Sequence, residues 1–69
     1  MSKNNKIPNS EGYCIQLLRT THNLYFNPLL EDVVPVPYIT RDVEDAKMYH
    51  EVAHKKFPSW KFSIQLIID

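Results

Sequence analysis

The first regular pattern of hydrophobic and polar positions begins at Tyr13. Residues 1–12 are rich in Asn, Ser and Lys and lack apolar periodicity, so we expect them to form a flexible N-terminal tail. From Tyr13 onward alternate residues are apolar, and Tyr13, Ile15 and Leu17 would share one face of a strand. The pattern therefore divides the chain into a tail and one small domain, residues 13–69.

Four segments have the alternation and residue types of β-strands. The first strand is predicted over residues 13–20, and polar turn residues separate it from a second strand over residues 24–26. These two strands would form a hairpin. A short strand is predicted over residues 38–40, and residues 60–68 alternate clearly enough to predict the closing strand.

Prolines interrupt the apolar stretch between the second and third of these strands, residues 29–37. Proline lacks a backbone N–H and disrupts helix interiors, so this stretch is predicted to run extended across one edge of the domain. Two alternatives stay open for its apolar side chains. The segment could fold over and cover them itself, or it could present them to another molecule.

A helix is predicted from Val43 to about Phe57. Asp42 is a suitable N-cap, acidic residues follow in the first turn, and lysines occupy the last turn, as the helix dipole favours. Pro58 prevents the helix from continuing. This is the element with the largest number of independent signals.

The helix has two faces of different character. At about 100° per residue, the face directed to the sheet comprises Val43, Ala46, Tyr49, His50, Ala53 and Phe57. Met48 and Val52 lie roughly opposite, one turn apart, where solvent is expected. The predicted fold is therefore α+β, with a single helix packed on a three- to four-stranded antiparallel sheet.

Composition and charge narrow the range of functions. The 8 Lys+Arg balance the 8 Asp+Glu, and a net charge of zero disfavours a binder that relies on electrostatic attraction to nucleic acid. No apolar run is long enough to span a membrane, and no apolar segment of a secretory signal follows the polar start. The lone cysteine, Cys14, is interpreted as a buried packing residue and fits a reducing compartment. We expect a cytoplasmic protein without membrane contact.

One motif with catalytic associations lies on the predicted helix. Residues 50–54 match H-E-x-x-H, in which two histidines bind zinc and the glutamate activates a metal-bound water. A catalytic zinc needs a third ligand, and the residues after His54 offer no acid before the last position. We predict that the protein is not an enzyme, with no catalytic residue, cofactor or metal site. His50 and His54 are the metal-ligand candidates for the alternative, a zinc-dependent hydrolase, and His50 is otherwise expected to donate a hydrogen bond at the sheet edge.

A second alternative is a nucleic-acid-binding protein. Lys55, Lys56 and Lys61 flank Phe57 and Trp60, and such a mixture of bases and aromatic rings can stack on a single strand. The competing interpretation is that the two rings fill the core while the lysines are solvated. The lone glycine excludes a glycine-rich phosphate loop.

The exposed helix face gives the favoured hypothesis, a protein-binding module. Met48 and Val52 have no intramolecular role in a one-helix fold, and Lys55 would form a charged rim beside them. We predict that these three residues contact a protein partner or a second copy of the chain. Pairing of an exposed strand edge is the other route to association.

The C-terminal half carries a resemblance to a known group of proteins. Residues 38–49 have the sequence Tyr-Ile-Thr-Arg-Asp-Val-Glu-Asp-Ala-Lys-Met-Tyr. This segment, with the helix and strand that follow to residue 68, resembles a pattern of small bacteriophage-encoded accessory proteins. The resemblance implies a protein that binds and modulates or inhibits a host protein in the host cytoplasm. It assigns no site residues.

Overall fold

One helix packs across a four-stranded antiparallel sheet in the computed structural model of this protein, which describes residues 12–67. The bounds of the elements are Gly12–Leu17 for β1, Tyr25–Asn27 for β2, Asp32–Val34 for β3, Val43–Lys56 for α1 and Phe62–Ile67 for β4. The predicted α+β architecture is confirmed.

The longest strand pairing joins β1 to β4. Six antiparallel register pairs connect them, ending at Leu17↔Phe62. On its other side β1 pairs with β2 through Gln16↔Tyr25, and β3 pairs with the far side of β2. The strand order is β3-β2-β1-β4, so β1 is central and β4 is an edge strand.

The first hairpin forms, with a longer connection than predicted. β1 ends at Leu17 rather than at residue 20 because Arg19 adopts the left-handed backbone conformation, with φ 62°. The Leu17 N–H donates to the Leu24 carbonyl at 2.8 Å, and β2 starts at the next residue, Tyr25. The connection between the two strands therefore includes residues 18–20, which the alternation of apolar and polar residues had assigned to the strand.

The closing strand is shorter than predicted at its start. β4 begins at Phe62 rather than at residue 60, because the Trp60 N–H donates to the Phe57 carbonyl at 3.0 Å in the turn that leaves the helix. The predicted last residue, Ile68, lies outside the described residues, as do residues 1–11 of the predicted tail.

The predicted edge segment, residues 29–37, contains a short strand. β3 lies at the sheet edge, as the prolines require, with Pro28 in the turn before it and Pro35 directly after it. Neither ring therefore removes a hydrogen bond from the ladder. The fourth strand of the sheet comes from this segment and not from residues 38–40.

Residues 38–40 contribute a single bridge where a strand was predicted. The Tyr13 N–H donates to the Thr40 carbonyl at 2.7 Å, and the Thr40 N–H donates back to the Tyr13 carbonyl at 2.9 Å. Gly12, which the sequence pattern places in the tail, is the first residue of β1. A methyl group at Gly12 would overlap the Ile39 side chain, so glycine allows this close approach.

The helix starts as predicted. An Asp42 carboxylate oxygen accepts a hydrogen bond from the Glu44 N–H at 2.9 Å, which is the expected N-cap. The helix ends at Lys56, and the Phe57 N–H still donates to the Ala53 carbonyl at 2.9 Å. Pro58 follows directly, which accounts for the end of the helix.

The core lies between the helix and the sheet. Ala46 and Ala53 are fully buried, and their small side chains let the helix approach the strands closely. Phe26 is also fully buried, and its ring meets the rings of Phe57 and Phe62 edge to face, with centroids 6.4 and 6.2 Å apart. The buried core cluster consists of Ile15, Leu17, Phe26, Ala46, Ala53 and Phe62.

The predicted inner face of the helix is confirmed except at its first residue. Tyr49 and Phe57 pack against the core, and His50 is half-buried. Val43 remains 39% exposed, because it begins the helix and lies at the rim of the core.

Candidate binding surfaces

The outer face of the helix carries the predicted interface residues. Met48 is 51% exposed, Val52 is 37% exposed, and Lys55 is exposed beside them. The expected exposure is confirmed for both residues, fully for Met48 and only in part for Val52, which lies on the flank of the helix about 100° from the buried Ala53. Their contact with a partner stays a prediction.

Charged side chains surround this apolar pair. Glu44 lies four residues before Met48 and Glu51 lies three residues after it, so both carboxylates are its neighbours on the helix surface. Both are exposed, and Glu44 forms an ion pair with Lys47 at 3.6 Å. The face therefore has a small apolar centre with an acidic side and a basic end at Lys55.

The loop between β2 and β3 presents two further apolar side chains. Leu29 is 76% exposed and Leu30 is 65% exposed. The Asn27 side-chain oxygen accepts hydrogen bonds from both of their backbone N–H groups, at 2.8 and 3.1 Å, and Glu31 closes the loop with φ 52°. The alternative in which residues 29–37 cover their own apolar groups fails for these two leucines and for Val36, which is 67% exposed.

An ion pair connects the loop to the helix. The Lys56 ammonium lies 3.4 Å from a Glu31 carboxylate oxygen, with both side chains largely exposed. Such a pair contributes little to stability, about 0–1 kcal/mol. It does place the loop that carries Leu29 and Leu30 beside the last turn of the helix.

A cleft of about 490 Å³ lies at the end of the sheet where β1 stops and β4 begins. Its lining residues are Leu17, Leu18, Arg19, Thr20, Leu24, Val33, Ser59, Trp60 and Lys61. The floor is apolar, and the two charged residues, Arg19 and Lys61, are both basic. The volume is typical of small-ligand sites.

Sequence patterns did not indicate that Arg19 and Lys61 meet at one cleft. The backbone pairing brings them together, because the Leu18 N–H donates to the Lys61 carbonyl at 2.8 Å and Arg19 follows directly. Only the register between β1 and β4 could have revealed this.

The basic and aromatic residues near the helix end lie in different environments. They are Lys55, Lys56, Phe57, Trp60 and Lys61. The rings of Phe57 and Trp60 stack, with centroids 4.6 Å apart and an angle of 14° between their planes. Phe57 packs against the core while Trp60 stays 41% exposed. Lys56 pairs with Glu31 and Lys55 belongs to the outer helix face, which leaves Lys61 as the lysine of this cluster that lines the cleft.

The H-E-x-x-H segment does not assemble a set of metal ligands. His50 Nε2 lies 2.9 Å from the Phe62 carbonyl oxygen, which can only accept, so Nε2 carries the proton and donates. The bond occupies Nε2, so Nδ1 is the ring nitrogen of His50 that stays available to a metal. His54 is exposed, and within residues 12–67 no group of three or more His, Cys, Asp or Glu side chains could hold a metal ion.

Cys14 is buried in β1, as predicted for a packing residue. Burial raises the pKa of its thiol above the ordinary value of 9.0, because the surrounding protein disfavours the thiolate. The thiol is thereby kept in its less reactive form.

Comparison of the chain with protein-family models, curated proteins and solved structures gives no match. In the part of the chain that the structure describes, the helix is too short and too polar to cross a membrane.

Proposed function

We propose that this protein is a protein-binding module that uses the outer face of its helix. The observation that carries the proposal is the exposure of Met48, with Val52 one turn further along the helix and partly exposed, away from the buried Ala46 and Ala53. Neither side chain belongs to the buried core cluster. Association with a partner would remove them from water.

The charges around the pair support a specific orientation of the partner. Glu44 and Glu51 flank Met48, and Lys55 lies beyond Val52. A partner surface with an apolar groove, a basic side and an acidic end would match this arrangement. Methionine suits such a contact because its flexible side chain adapts to an irregular groove.

The loop with Leu29 and Leu30 would extend the same interface. Its position beside the last helical turn, given by the Glu31–Lys56 ion pair, supports a contact that spans the helix and the loop. A helix in a groove is an established mode of recognition between proteins, and here the loop would add contacts at the end of the helix.

The kind of partner follows from the resemblance to phage accessory proteins. We propose that the chain acts in the cytoplasm of a phage host and binds a host protein, whose activity it modulates or inhibits. Self-association through the same face is the second form of this proposal, since the same apolar pair is present on every copy.

The direct test is Met48→Asp combined with Val52→Asp. Both residues lie outside the buried core cluster, so the double variant should keep its fold, judged by circular dichroism and thermal unfolding. Recovery of protein partners from host extracts, or dimerisation measured by sedimentation, should fall at least tenfold.

Lys47→Asp provides the matched control. It changes the net charge by the same two units on the same helix, and it removes no large apolar side chain from the surface. This variant breaks the Glu44–Lys47 ion pair but keeps the apolar contact, so its loss of binding should be far smaller than tenfold. If the double variant folds and binds normally, the helix face is not the interface, and Leu29→Asp with Leu30→Asp then tests the loop by itself.

A further inference from the structure

The cleft between the β1–β2 connection and the start of β4 has a chemistry distinct from the helix face. Leu17, Leu24 and Val33, three of its lining residues, belong to the core or pack against it, so they form a firm apolar floor. Thr20 and Ser59 add hydroxyl groups to the lining. A ligand that fits must have an apolar body and polar groups at its margin.

The positive charge of the cleft lining favours an anionic ligand. Arg19 and Lys61 line it, and no acidic residue from 12 to 67 does. Within residues 12–67 the ion pairs are Lys47–Glu44 and Lys56–Glu31, so neither cleft cation is neutralised by a described carboxylate. An Arg just after the end of β1 and a Lys just before the start of β4 can share one phosphate group.

The aromatic ring of Trp60 favours a ligand with a flat ring. Phe57 covers one face of the indole in a near-parallel stack, which fixes the orientation of the ring. Trp60 lines the cleft and is 41% exposed. A flat ring can stack on the exposed part of the indole.

We propose that this cleft binds a nucleotide unit, with the base stacked on Trp60 and the phosphate held by Arg19 and Lys61. The stack of Phe57 on Trp60 favours a nucleobase over an aliphatic chain, and the paired cations favour a phosphate over an uncharged ring. The nucleotide is either free or part of a single strand. This site is independent of the proposed protein-binding face, because it shares no residue with Met48, Val52 and Lys55.

Trp60 is the only tryptophan of the chain and lines the cleft, so its emission in the folded protein is a probe of ligand binding there. The probes are the four ribonucleoside monophosphates, the corresponding nucleosides, inorganic phosphate and a short oligothymidylate. Nucleotides should quench or shift the Trp60 emission saturably, and resonances of the lining residues should shift in NMR spectra. Nucleosides and phosphate should each bind at least tenfold more weakly than the nucleotide that combines them.

The decisive variant is Arg19→Gly with Lys61→Ala. Glycine suits the positive φ of residue 19, so this change removes the charge without adding backbone strain. The double variant should keep its fold and lose at least tenfold in nucleotide affinity. Lys47→Ala, which removes a cation far from the cleft lining, should leave the affinity unchanged.

The oligonucleotide distinguishes the two sources of the ligand. Tighter binding of the oligothymidylate than of the monophosphates assigns the cleft to single strands, and equal or weaker binding assigns it to free nucleotides. Because both cations hold the same phosphate, log Kobs for the oligothymidylate should fall with log salt with a slope of about −0.7, the value for one neutralised phosphate of a single strand, and the slope should approach zero in the double variant.

Two results would overturn the proposal. One is the absence of any saturable change in Trp60 emission or in the lining resonances at millimolar nucleotide and oligonucleotide. The other is binding that a folded Arg19→Gly, Lys61→Ala double variant retains at full strength. Neither result bears on the helix face, and loss of partner binding in the Met48 and Val52 variant leaves the cleft proposal unaffected.

Discussion

His50 Nε2 donates a hydrogen bond to the carbonyl oxygen of Phe62, 2.9 Å away. The neighbouring Lys61 carbonyl accepts from Leu18 in β1, and carbonyls alternate in direction along a strand, so the Phe62 carbonyl points to the outer edge of the sheet. The imidazole therefore satisfies a half-buried acceptor that no further strand covers in the described chain. This gives the first histidine of the H-E-x-x-H segment a structural role.

Replacing His50 with Ala should lower the free energy of unfolding by about 0.5–1.5 kcal/mol, because the Phe62 carbonyl loses its donor. His54→Ala should change it by less than about 0.5 kcal/mol, since the side chain is exposed. Urea unfolding followed by Trp60 fluorescence measures both. Zinc should not raise the melting temperature of the unmodified chain, and stoichiometric zinc that both variants lose would contradict this assignment.

Gly12→Ala should destabilise the fold by about 1–3 kcal/mol, because the new methyl group overlaps the Ile39 side chain next to the Tyr13–Thr40 bridge. Combining it with Ile39→Ala should recover part of the loss, as expected when the cause is steric. Thermal unfolding of the two single variants and the double variant measures the coupling. Strict additivity of the two losses would exclude this contact as the cause.

Stability should fall as pH rises above 9.0. The folded protein keeps the Cys14 thiol protonated beyond this value, while the unfolded chain loses the proton, so raising the pH favours unfolding. Cys14→Ala removes this contribution, and its stability, measured by urea unfolding under reducing conditions, should decline less steeply. Parallel pH profiles of the two proteins would show that the thiol pKa does not differ between the folded and unfolded states.

The elements that depend on local chemistry could be predicted from the sequence. The Asp42 cap, the block by Pro58 and the 3.6-residue spacing of Ala46 and Ala53 each act within one helix, and together they gave its bounds almost without error. The alternation from Phe62 onward likewise identified β4. Such features can be predicted from residues that are close together in the sequence.

The features that depend on strand register could not be predicted. β3 pairs with β2 over three residues, too few for alternation to be recognised between prolines. The left-handed conformation of Arg19 shortens β1, and no pattern in a run of Leu, Arg and Thr indicates it. The cleft depends on both, since Arg19 and Lys61 meet only through the β1–β4 pairing.

Sequence patterns also could not predict that the loop with Leu29 and Leu30 lies close to the helix. It follows from the register of the β2–β3 hairpin and from the Glu31–Lys56 ion pair, which joins residues far apart along the chain. The sequence left open whether this segment covers itself. In the structure its two leucines are exposed, so they are available for contact with another molecule.

Site-specific photo-crosslinking in host cells tests the protein-binding function most directly. A photoreactive side chain at position 52 lies within the proposed interface, and one at position 47 lies on the same helix about 100° around the axis from Met48. We predict that position 52 gives a discrete covalent adduct with one protein, a host partner or a second copy of the chain, and that position 47 gives little or none. Equal adducts from both positions, or an adduct from position 47 alone, would contradict a partner bound at the Met48 and Val52 face.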